Sequence, residues 1–132
     1  MFLHIKVRCN SGNSYRFLIN RIQPLRPIET VKFSNDPCVF IVGKLQEAID
    51  YEFLSAGVKI HDMNRFSLIY LGETDDLSME FRDHPKTCTI NKLGADFLFK
   101  YVSKNKEHRK EVVNDVLATF KFYCKNPGLS LR

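Results

Sequence analysis

A chain of 132 residues that is 44% hydrophobic and 27% charged, with six glycines and five prolines, has the make-up of one globular domain; the disordered and collagen-like classes are excluded. Twenty basic against fifteen acidic residues leave a net charge of +5, which permits an acidic or nucleic-acid partner without requiring one. No apolar run approaches the roughly eighteen residues of a membrane span, so no membrane role is expected.

The opening MFLHIKVRC alternates apolar and polar residues where a secretory leader would be continuously apolar. Residues 2–9 therefore read as a strand, with Leu3, Ile5, Val7 and Cys9 on one face and His4, Lys6 and Arg8 on the other. NSGN at 10–13 is a turn, and SYRFLIN at 14–20 returns as a second strand with Tyr15, Phe17 and Ile19 inward. Pro24 and Pro27 interrupt regular structure, and 28–34 is an edge strand or an extended connection. Asp36 and Pro37 have the chemistry of a helix start. From Cys38 to Ala56 apolar residues recur every three or four positions, up to a stop at Gly57. This predicts a long helix, although CVFIV at 38–42 also suits a strand, in which case the helix begins near Gly43.

FSLIYLG at 66–72 is the next strand, with Phe66, Leu68 and Tyr70 on the core side and Ile69 left over on the other. LSMEF at 77–81 is a candidate for brief pairing, and 87–94 is a short irregular or 3₁₀-like approach. DFLFKYV at 96–102 closes the set, with Phe97, Phe99 and Tyr101 inward and Leu98, Lys100 and Val102 outward. A last helix runs from about Asn105 to Cys124, its stripe formed by Val113, Val116, Leu117, Phe120 and Cys124. Cys9, Cys38, Cys88 and Cys124 form no CxxC pair. They read as reduced core thiols, with two disulfides the alternative that the count allows, and the chain reads as soluble and intracellular, in nucleus or cytoplasm.

The order hairpin, helix, strand, short strand, strand resembles the ubiquitin-like β-grasp family over residues 2–103. FSLIYLG resembles that family's third strand and following glycine turn, and TINKLGADFLFKYV its closing segment. The resemblance implies an α+β domain, a mixed sheet crossed by one long helix, with an added C-terminal helix over 104–125. It implies a non-catalytic protein–protein interaction subunit that docks partners through Ile69, Leu98 and Lys100, unless the added helix covers that face. No Gly-Gly occurs in the chain, so a conjugated modifier is disfavoured.

The alternative is a small basic subunit of a ribonucleoprotein or other nucleic-acid complex. Its contacts would be Lys6, Arg8, Arg16, Lys104, Arg109 and Lys110. Against it, Tyr15 and Phe17 point away from Arg16, which leaves no base-stacking platform. Phosphate-loop, dinucleotide, zinc and nucleophile-elbow motifs are absent, so neither an enzyme nor a cofactor or metal site is expected. Asp75, Asp76, Glu80 and Asp83 beside His84 read as a solvated acidic turn.

Overall fold

A computed structural model describes residues 4–22, 25–46 and 63–124. Alternation governs its start. β1 (His4–Arg8) buries Ile5 and Val7 and exposes His4, Lys6 and Arg8, while β2 (Ser14–Arg21) buries Tyr15 and Phe17. The two pair antiparallel, Ile5 opposite Phe17 and Lys6 opposite Arg16. Gly12, at φ +94°, turns the chain between them in a conformation that a Cβ would strain.

After Pro27 the chain makes one 3₁₀ turn, Ile28–Thr30, and then an extended connection, so 28–34 adds no strand. The long helix expected from Asp36 does not start there. β3 (Cys38–Leu45) is a strand instead, because CVFIV supplies the β-branched and aromatic side chains that a doubly buried strand packs. Asp36, free of any capping role, accepts a hydrogen bond from Lys100 Nζ at 2.7 Å. The rest of the expected helix, 47–56, lies outside the described residues.

β4 (Phe66–Thr74) and β5 (Phe97–Val102) complete a five-stranded sheet of order β1-β2-β5-β3-β4. Every neighbouring pair is antiparallel. The α+β class stands, but the expected mixed sheet is an antiparallel one. Among the described residues three α-helices accompany it: α1 (Leu77–Glu80), α2 (Thr87–Lys92) and α3 (Lys106–Thr119). The 77–81 stretch is helical rather than paired because Asp76 caps it, accepting from the Ser78 backbone N–H at 3.0 Å.

The sheet is covered on both sides. On the first face α3 sets Val112, Val113 and Val116 against Ile5, Phe17, Ile41, Leu71 and Phe99. On the second, Ile28, Leu77, Phe81 and Ile90 pack on Phe40, Val42, Ile69, Tyr70 and Leu98. These layers cover β3, β4 and most of β5, but not the second-face side of the β1–β2 hairpin, where Lys6, Arg8 and Arg16 meet solvent.

Two charged contacts fasten α3. Arg109 is only 1% exposed; it donates to the Ser103 carbonyl at 2.8 Å and to Glu73 Oε1 at 3.3 Å, and it also pairs with Asp75. Asp115 Oδ2 accepts from Tyr15 Oη at 2.6 Å, Ser11 Oγ at 2.8 Å and Asn13 Nδ2 at 3.2 Å, which ties the hairpin turn to the helix. Beyond α3 the chain passes along the outer edge of β4: the Tyr123 and Cys124 amides donate to the Leu68 and Ile69 carbonyls at 2.8 and 2.9 Å.

Candidate docking surface

The face expected to bind partners is interior. Ile69 is 2% exposed and Leu98 0%, both inside the second-face cluster. The cover is the segment that carries α1 and α2, not the C-terminal helix, which lies on the first face. Lys100 stays half-buried and is held by Asp36 and Ser34 Oγ, both at 2.7 Å. The hydrogen bond from Lys100, and after it one donated by Ser34 Oγ to the same carboxylate, hold the Asp36 carboxyl below its usual range.

Ile69 lies on the face that strand parity assigns it and is buried because the α1–α2 segment covers that face; the residue that parity misplaces is Tyr70, at a β-bulge. Val42 pairs with Tyr70 and Gly43 with Leu68, so Ile69 is an extra residue in β4. Strict alternation puts Tyr70 beside Phe66 and Leu68. The bulge puts Ile69 and Tyr70 together on the second face and returns Leu71 to the first. Gly43 fits there because a Cβ on it would lie 3.2 Å from the Ser67 carbonyl oxygen.

Of the six basic residues expected as contacts, three converge. Lys6, Arg8 and Arg16 are exposed on the second-face side of the hairpin, with Lys6 directly across from Arg16. Among the described residues no carboxylate lies within ion-pair distance of them; the ion pairs involve His84, Lys100, His108 and Arg109. Like charges set opposite each other across two strands destabilise the pairing. Arg109 is withdrawn from the set by burial, because its guanidinium is spent inside on Glu73, Asp75 and Ser103. Lys104 and Lys110 are exposed, but Lys110 rides on α3, across the sheet from the hairpin cations.

Two aliphatic residues belong to this open face, of which sequence reasoning placed Val102 outward and missed Leu18. Leu18, half-buried, stands opposite His4 and beside Lys100, and Val102 is 46% exposed at the end of β5. The signal was available: Leu18 shares strand parity with Arg16. No aromatic side chain belongs to this face among the described residues, since Tyr15, Phe17 and Tyr101 all pack on the first face.

The acidic turn is divided among structural tasks. Asp75 pairs with Arg109 and Asp76 caps α1. His84 Nδ1 accepts from the Lys86 backbone N–H at 3.0 Å, which puts its proton on Nε2, 3.2 Å from Tyr70 Oη and 3.3 Å from Glu80 Oε2. This buried network pins the α1–α2 segment to Tyr70. Among the described residues no three potential ligands converge as a metal site. All four cysteines are free; burial pushes the Cys38 thiol up to about 12 and raises Cys9 and Cys124, opposite to the shift of a reactive thiolate. Among the described residues, no helix is long and apolar enough to cross a membrane. No family model, curated protein or solved structure matches the chain.

Proposed function

We propose that this protein is a non-catalytic docking subunit of a larger assembly and that the open face of the β1–β2 hairpin seats an acidic protein segment. The observation that carries this is the pairing of Lys6 with Arg16, next to Arg8, with no carboxylate of the described residues within ion-pair distance of them. The molecule otherwise matches its interior cations carefully, as Lys100 and Arg109 show. An acidic partner removes the like-charge repulsion that the free hairpin bears.

Leu18 on β2 and Val102 on β5, on the same side of the sheet as the cations, favour a polypeptide, which offers aliphatic and carboxylate groups together. The lack of an aromatic platform counts against single-stranded nucleic acid. A ubiquitin-like β-grasp relationship would agree with a docking role, but the antiparallel strand order lends it no support, and the reading stands on the hairpin alone.

The test compares a polyglutamate peptide with single-stranded RNA of equal charge, by fluorescence anisotropy on the full chain. The wild type should bind the peptide more tightly, with affinity falling as salt rises. The Lys6→Glu, Arg16→Glu double variant should lose that binding with its melting temperature unchanged. Tighter binding of the RNA, or peptide binding that survives the charge reversal, overturns the proposal.

A further inference from the structure

The sheet has two edges, and they are treated differently. The outer edge of β4 is occupied at Leu68 and Ile69 by the 123–124 amides. β1 ends the strand order on the other side, and among the described residues no strand lies beyond it. In an edge strand, alternate residues turn their N–H and C=O groups outward, where another chain can pair with them.

What could add there is limited by charge. A second copy pairing β1 to β1 antiparallel about Lys6 would set Lys6 against its own copy and each Arg8 against a His4, with no carboxylate on that face to offset the cations. A segment with carboxylates at alternate positions fits instead. As a sixth strand it would lie about 4.7–4.9 Å from β1, with its carboxylates beside Lys6 and Arg8, and Arg16 one strand further in.

Resting on the docking reading above, we infer that β1 is a strand-addition site for an extended acidic segment. The partner's backbone pairs with the free edge of β1 while its alternate acidic side chains engage Lys6, Arg8 and Arg16. Main-chain hydrogen bonds supply attachment, and the alternation of charge supplies selectivity.

The test uses the full chain and a peptide of alternating glutamate and valine, in three forms: unmodified, and N-methylated on either of its two sets of alternate amides. In a strand those two sets face opposite edges. One methylation pattern removes donors aimed at β1 and should weaken binding roughly tenfold or more, while the other should match the unmodified peptide. Amide exchange within β1 should slow when the unmodified peptide binds. If all three peptides bind alike and β1 exchange does not change, strand addition is wrong while the basic docking face stands. If none of the three binds, the docking reading fails with it and the lysine and arginines only guard the edge against aggregation.

Discussion

Gly72 gives the sharpest stability test. It pairs with Phe40 across β3 and β4, and the Phe40 ring lies over the place where its side chain would be. A Cβ built on Gly72 falls 2.7 Å from Phe40 Cζ and 3.1 Å from Tyr70 Cε2. Carbon atoms in contact prefer about 3.5–4.0 Å, so the overlap approaches an ångström. Phe40 has little room to retreat, being fully buried with the Tyr70 and Phe81 rings 5.9 and 5.4 Å away. Replacing a strand glycine by alanine ordinarily gains about 0.5–1 kcal/mol in backbone entropy. Overpacking a tight core costs about 1–3 kcal/mol, so Gly72→Ala should be net destabilising by about 1–2 kcal/mol. That lowers the melting temperature by roughly 3–10 °C at this chain length. Urea denaturation of wild type, Gly72→Ala, Phe40→Leu and the double variant closes a cycle in which the smaller leucine side chain at position 40 relieves the clash. The double variant should lose about 1 kcal/mol less than the sum of the singles. Strict additivity, or a melting temperature that rises in Gly72→Ala, refutes the packing argument.

Ile69→Asp and Leu98→Asp should each abolish the cooperative thermal transition, because a carboxylate at either site has no partner in the second-face cluster. A folded Ile69→Asp protein by circular dichroism would show that the face is open. Arg109→Ala should destabilise by about 3–5 kcal/mol in chemical denaturation, since it strands Glu73 and empties a buried volume, whereas Lys110→Ala should change stability by less than about 0.5 kcal/mol. Hydrogen bonds from Tyr15, Ser11 and Asn13 hold the Asp115 carboxyl below its usual range. Its contribution is therefore present above the unfolded value near 3.9 and is lost as pH falls through the lower folded value; Asp115→Asn should flatten that part of the acid profile. Burial foremost, with Asp115 alongside, pushes the Tyr15 hydroxyl up to about 12. Stability from neutral Tyr15 is full below the unfolded value near 10 and should fall between there and about 12, a loss absent in Tyr15→Phe.

The parts legible in the sequence are those where local pattern and final environment agree. The hairpin showed itself because β1 and β2 are one-sided strands, buried on the first face and wet on the second, so alternation and the NSGN turn tell the same story. DFLFKYV and the core of the last helix were readable for similar reasons. β3 was legible only as the alternative at 38–42, and not beyond Gly43, because a strand buried on both faces carries no period of two and its spacing of Ile41, Val42 and Leu45 also fits a helix. The bulge at Ile69 was invisible, since nothing in FSLIYLG marks where the register slips, and it carried Tyr70 to the second face; the expected docking face closed for a different reason, because Leu77, Phe81 and Ile90 pack over it, contacts that only the fold brings about. Arg109 looked like any exposed helix cation; its burial depends on Glu73 and Asp75, more than thirty residues away in the chain. Lys6, Arg8 and Arg16 could be placed on one face by parity alone, whereas the lack of a neighbouring carboxylate needed the fold.

β5 lies between β2 and β3 although it is the last strand to be made. The β1–β2 and β3–β4 pairs join strands adjacent in chain order, and each can form without the other. Among the described strands, only residues 97–102 join the two ribbons, by pairing on both sides. On a ribosome adding about 5–20 residues per second, the first hairpin waits several seconds for that strand. Through that interval its β2 flank stays bare, and so does the flank of β3 once that strand has emerged. The two edges sealed most completely in the finished sheet are thus bare in the nascent chain, where a holding chaperone would find them.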